Sequence, residues 1–119
     1  MNYYDDGGGI TVRSLEFWHE NKHRIGEVLS LEASLEPLRT ADGELRTTMT
    51  DLTGFEEWNV EIKGENGSIF LSGCNCGYGG EGPNGTAKIL AELGLPIEKA
   101  RKAMVQKIIH YDALTCEVK

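Results

Sequence analysis

The chain has 119 residues, room for one hydrophobic core and hardly for two. Its 39% hydrophobic and 26% charged residues are an ordinary globular composition, and no run approaches the roughly eighteen apolar residues of a membrane span. A formal charge of −7 with no Lys/Arg cluster argues against a nucleic-acid duplex as partner; a basic protein surface, or a small anionic ligand held by helix ends and one or two arginines, stays compatible.

The opening, Met1-Asn2-Tyr3-Tyr4-Asp5-Asp6, has neither the basic start nor the apolar centre of a secretory signal, so a cytoplasmic location is expected. Cysteine usage agrees: there are three, and Cys74 and Cys76 are too close in sequence for an ordinary staple. The sequons Asn66-Gly67-Ser68 and Asn84-Gly85-Thr86 carry no meaning without secretion. No internal repeat or long linker divides the chain, and residues 1–119 read as a single ligand-binding domain.

In chain order, Ile10 to Phe17 is the first expected strand, although its alternation slips at Ser14-Leu15. From Val28 to Glu36 the alternation is regular, with Leu29, Leu31, Ala33 and Leu35 on one face. Ala41-Asp42-Gly43 signals a hairpin turn, which makes Leu45 to Leu52 the returning strand. Trp58, Val60 and Ile62 alternate with polar residues, and Glu65-Asn66-Gly67 turns the chain into Ser68 to Ser72. Gly82-Pro83 then opens a helix with Thr86, Ile89, Leu90 and Leu93 on one face, ended by Gly94. Pro96 opens a second, whose stripe is Ile97, Ala100, Met104, Ile108 and Tyr111. The expected fold is therefore α+β: an N-terminal antiparallel β-sheet of five or six strands followed by two C-terminal α-helices.

The segment Gly73-Cys74-Asn75-Cys76-Gly77-Tyr78-Gly79-Gly80-Glu81-Gly82-Pro83-Asn84-Gly85-Thr86 joins the last of these strands to the first helix and holds six of the fifteen glycines. Glycine is costly to order, so this density points to a backbone that turns sharply and comes close to a ligand. Free N–H groups of the first helical turn would face the same place and favour an anion. Asn84 and Thr86 add polar side chains, and Tyr78 offers a ring that can stack on a base. A flexible surface connection is the plainer reading. The Lys-Ser/Thr pair of a Walker loop is absent, and no βαβ unit follows as a dinucleotide fingerprint requires.

Other motifs lack context. His19-Glu20-Asn21-Lys22-His23 matches the zinc-protease pattern H-E-x-x-H, but it lies in a polar run between strand-like segments, without a third ligand. Cys74-x-Cys76 has no second close pair, so no metal is expected, and no nucleophile stands beside a base. Neither a cofactor nor a catalytic residue is assigned. Glu81 is the lone carboxylate near the loop from which hydrolysis could be argued.

The order of elements, together with the loop Gly79-Gly80-Glu81-Gly82-Pro83-Asn84-Gly85-Thr86, resembles the phage-encoded Thoeris anti-defence sponges. The resemblance implies a non-enzymatic protein, in the host cytoplasm if phage-encoded, that sequesters a TIR-derived nucleotide signal, a glycosylated cyclic isomer of ADP-ribose. It also implies dimers that assemble into hexamers, and in some members a separate cyclic-oligonucleotide site between subunits. By the same resemblance Asn84 lies beside the ligand and Arg101 meets its phosphates, with Gly80, Gly82, Gly85 and Thr86 shaping the loop. An arginine from an earlier strand–strand loop is expected as well, either Arg39 or Arg46. The family's aromatic stacking residue falls where this chain has Cys74; Tyr78 is the alternative, and the departure bears on which isomer fits. The competing function is that of an acidic immunity protein that neutralises a toxin through its basic face. A sponge gathers arginines at the glycine loop; an immunity protein presents a broad acidic patch.

Overall fold

The computed structural model describes residues 1–44, 46–50 and 54–119. The chain is α+β. Its main sheet has six strands in the order β1-β6-β5-β2-β7-β8, built from β1 (Asn2–Tyr4), β2 (Val28–Ser34), β5 (Val60–Gly64), β6 (Gly67–Leu71), β7 (Ile108–Asp112) and β8 (Glu117–Val118). The sheet is mixed, not purely antiparallel, because β1 runs parallel to β6. A separate two-stranded sheet pairs β3 (Thr47–Thr50) with β4 (Gly54–Glu57). The helices are α1 (Thr11–Asn21), α2 (Glu81–Glu92) and α3 (Ile97–Ala103), with a 3-10 turn at Lys22–Arg24. None is long and apolar enough, among the described residues, to cross a membrane.

The alternation rule works where strands are regular. Trp58, Val60 and Ile62 are fully buried, and β5 turns into β6 with Gly64 opposite Gly67. On β2, Leu31 and Ala33 are buried, but Leu29 is exposed, because the register with β5 shifts between Val28 and Ser30. The extra residue of such a bulge turns its side chain away from the core.

Three expectations change. Ile10 to Phe17 is not a strand; Thr11–Asn21 is a helix, with Ser14 and Trp18 buried one turn apart on its inner face. Val28 to Glu36 does not pair with a returning strand, because β2 lies between β5 and β7. Leu45 and Leu52, the ends of the expected returning strand, lie outside the described residues, and β3 between them pairs with β4. The second of the expected helices stops at Ala103, so Ile108 and Tyr111 belong to β7, and strands β7 and β8 follow the two helices. Pairing of Ile108–Asp112 with β2 satisfies that backbone in the sheet. One core joins the sheet to all three helices through Trp18, Ile62, Ile69, Leu90, Ala100 and Tyr111.

Candidate functional site

The glycine-rich segment is fastened at its start by a buried carboxylate. Asp5 Oδ1 accepts from Trp58 Nε1 at 3.0 Å, from the Gly7 N–H at 3.0 Å and from Ser72 Oγ at 2.8 Å. Its Oδ2 accepts from the Ser72 N–H at 2.8 Å and from Ser14 Oγ at 2.5 Å. Ser14 Oγ in turn accepts from the Gly73 N–H, and Thr11 Oγ1 donates to the Gly73 carbonyl. Further on, the Gly77 N–H donates to the Met104 carbonyl at 2.7 Å, and Thr86 Oγ1 donates to the Asn75 carbonyl at 2.7 Å. The segment is thus tied to α1, to the end of α3 and to α2, whereas free loops are held by few such bonds. Nothing in the sequence pattern marks Asp5 or Ser14; both are held in the core chiefly through partners about ten to seventy positions away.

Between this segment, the first turns of α2 and the end of α3 lies an open cleft of about 620 Å³, within the size range of small-molecule sites. Tyr78, Gly80, Asn84 and Arg101 from the expected set line it together. Met104 and Val105 supply an apolar wall that the helical stripe only partly announced. Of the five arginines, four have partners. Arg13 pairs with Asp6, Arg24 lies over the Tyr3 ring, Arg39 donates to the Gly43 carbonyl, and Arg46 meets Glu32 and Glu61. The Arg101 side chain forms no hydrogen bond or ion pair among the described residues. Its guanidinium is left to face the cleft as an anion-seeking group.

The remaining expected residues stand elsewhere. Arg46 is held at 2.8–3.0 Å by two carboxylates from β2 and β5 and does not line the cleft. Arg39 lines a different hollow, beside Leu35 and Lys107. Cys74 is fully buried and packs toward Gly85 instead of stacking on anything. Gly85 and buried Thr86 belong to the α1–α2 contact and the loop clamp: a Cβ on Gly85 would lie 2.7 Å from Thr11 Cγ2. Gly80 and Gly82 do make room, but for the chain itself. A Cβ on Gly80 would sit 2.7 Å from Tyr78 Cε2, and one on Gly82 would collide with Asn75 Oδ1, a buried acceptor with no donor among the described residues. The helix start is also a weaker anion site than expected, because Pro83 lacks an N–H and Glu81 puts a carboxylate in the first turn.

The histidines of H-E-x-x-H fall across the end of α1, and His19 Nε2 lies 2.8 Å from Glu92 Oε1. Among the described residues no three His, Cys, Asp or Glu side chains converge as metal ligands do. Burial pushes the Cys74 thiol up to about 12, with the Asp5 carboxylate adding to it, and burial pushes Cys76 up to about 11. Both are therefore protonated thiols at neutral pH, and only thiolates are nucleophilic. Titration of the folded protein with a thiol reagent at pH 7.5 should label one cysteine, the exposed Cys116, and denaturant should release the other two. Rapid labelling of three would contradict the burial of the loop. Comparison with protein families, with curated proteins and with solved structures finds no match.

Proposed function

We propose that the protein binds a small nucleotide-like signal without converting it, and that the ligand is a glycosylated cyclic ADP-ribose isomer whose sequestration blocks bacterial anti-phage defence. The observation that carries this reading is Arg101, whose side chain has no partner among the described residues and which lines a cleft together with an aromatic ring, Tyr78, and a bifunctional amide, Asn84. Those groups suit a phosphate, a base and a polar ring edge in turn. Assembly into dimers or hexamers belongs to the same proposal. The acidic charge of −7 favours an immunity protein instead, which would bind a basic toxin and no nucleotide.

Incubation with the isomer, removal of free ligand and heating should return intact nucleotide. Cleaved product would replace sequestration by hydrolysis and promote Glu81 to a general base. Failure to retain any cyclic ADP-ribose isomer would move the immunity reading ahead.

A further inference from the structure

The cleft contains a second charge that an anion site does not explain. Glu81 lines it together with Arg101, and also lines an adjoining hollow of about 200 Å³ between α1 and α2, which Lys88 lines as well. Asn84 is likewise common to both hollows, so Glu81 and Asn84 form the ridge between them. Glu81 forms no ion pair among the described residues. A carboxylate in the first turn of a helix gains from the helix dipole, which accounts for its tolerance there. That gain does not require a place on a cleft wall. A carboxylate is acceptor-only, so at this ridge it repels a phosphate and recruits hydroxyl donors. Its two oxygens match two neighbouring hydroxyl groups, each in a short charge-assisted bond.

We propose that Glu81 is a specificity-determining residue that reads a sugar diol, so that the site takes a phosphate-bearing ligand with free ribose hydroxyls at this ridge. It rejects a ligand that lacks a hydroxyl there or carries a second phosphate in its place. This rests on the nucleotide-binding reading, and it divides the work: Arg101 meets the anion, Tyr78 the base and Glu81 the sugar. No bond is made or broken.

The test is calorimetric titration of the parent protein and of Glu81→Ala with cyclic ADP-ribose and two analogues, one lacking the 2′ hydroxyl of the adenosine ribose and one lacking the corresponding hydroxyl of the other ribose. One analogue should bind the parent about tenfold more weakly than cyclic ADP-ribose, the range of a charge-assisted hydrogen bond. On Glu81→Ala that gap should close to within about twofold, and Glu81→Gln, which keeps one acceptor oxygen, should lie between. Each comparison is made within one variant, so a lost dipole contact that lowers stability leaves the ratio unchanged. Equal binding of all three ligands by the parent overturns the inference, as does a gap that persists in Glu81→Ala; both leave sequestration standing. For a parent that holds the glycosylated isomers but not cyclic ADP-ribose, the same comparison is made with those isomers and their analogues deoxygenated at a remaining ribose hydroxyl, and the same outcomes support or overturn the inference. A parent that holds none of them removes the nucleotide reading itself, and this inference with it.

Discussion

Asp5→Ala should destabilise the protein by about 3–5 kcal/mol, because it strands several buried or part-buried donors at about 1–3 kcal/mol each. Asp5 is buried, and its carboxylate receives five donors: Trp58 Nε1, the Gly7 and Ser72 N–H groups, and the hydroxyls of Ser14 and Ser72. Hydroxyls can rotate toward new acceptors, but the indole and the two amides cannot, and a buried donor left unpaired costs about 1–3 kcal/mol. A small domain is stable by only about 5–15 kcal/mol, so the loss is a large share. Urea unfolding should show a lower midpoint, with the melting temperature down by more than about 10 °C. Asp5→Asn keeps one acceptor oxygen but presents an NH₂ to donors, and should lose an intermediate amount. A loss under about 1 kcal/mol for Asp5→Ala would mean that water or another acceptor serves these donors. The start of the glycine-rich segment would then not depend on this carboxylate.

The same carboxylate explains why part of the fold could not be read from the sequence. Ser14 breaks the apolar pattern of Ile10 to Phe17, which suggested a strand that slips; in the structure it is a buried polar residue of a helix, because Asp5 accepts its hydroxyl. Burial of a polar side chain depends on a partner remote in sequence, and local periodicity carries no record of it. The alternation of Trp58, Val60 and Ile62 was legible because both neighbours of β5 are regular strands there. Ile108 and Tyr111 continued a helical spacing from Ala100 and Met104 by coincidence of period, and pairing with β2 decided between the two readings. That Tyr78, Asn84 and Arg101 line one cleft was legible because the loop and the helices that carry them are near in sequence. The places of Arg39 and Arg46 were not. The two carboxylates that hold Arg46 come from β2 and β5, which are neighbours only in the folded sheet.

On the proposed function, Arg101→Ala should weaken binding of a cyclic ADP-ribose isomer about ten- to a hundredfold while leaving the fold nearly intact. A guanidinium meeting a phosphate at a partly desolvated site forms charge-assisted hydrogen bonds worth about 1.5–3 kcal/mol, and this is the range that loss converts to. Stability should hardly move, since Arg101 is exposed and its side chain bonds to no described residue; only its favourable place in the last turn of α3 is lost, a few tenths of a kcal/mol. Arg101→Lys keeps the charge without the planar fork and should recover part of the affinity. Arg46→Ala serves as the contrast, because its partners Glu32 and Glu61 lie on the sheet and not on the cleft. It should change stability and leave affinity alone. Asn84→Trp tests the same cleft by volume: Asn84 is exposed on the first turn of α2, so the larger ring can be accommodated by the fold while filling the space a ligand needs. Titration calorimetry with a cyclic ADP-ribose isomer separates the cases. If Arg101→Ala and Asn84→Trp both bind as tightly as the parent while Arg46→Ala does not, the ligand lies on the polar face of the sheet. If none of the three departs from a parent that binds, Arg101 is solvated surface, and the anion site must be sought away from this cleft.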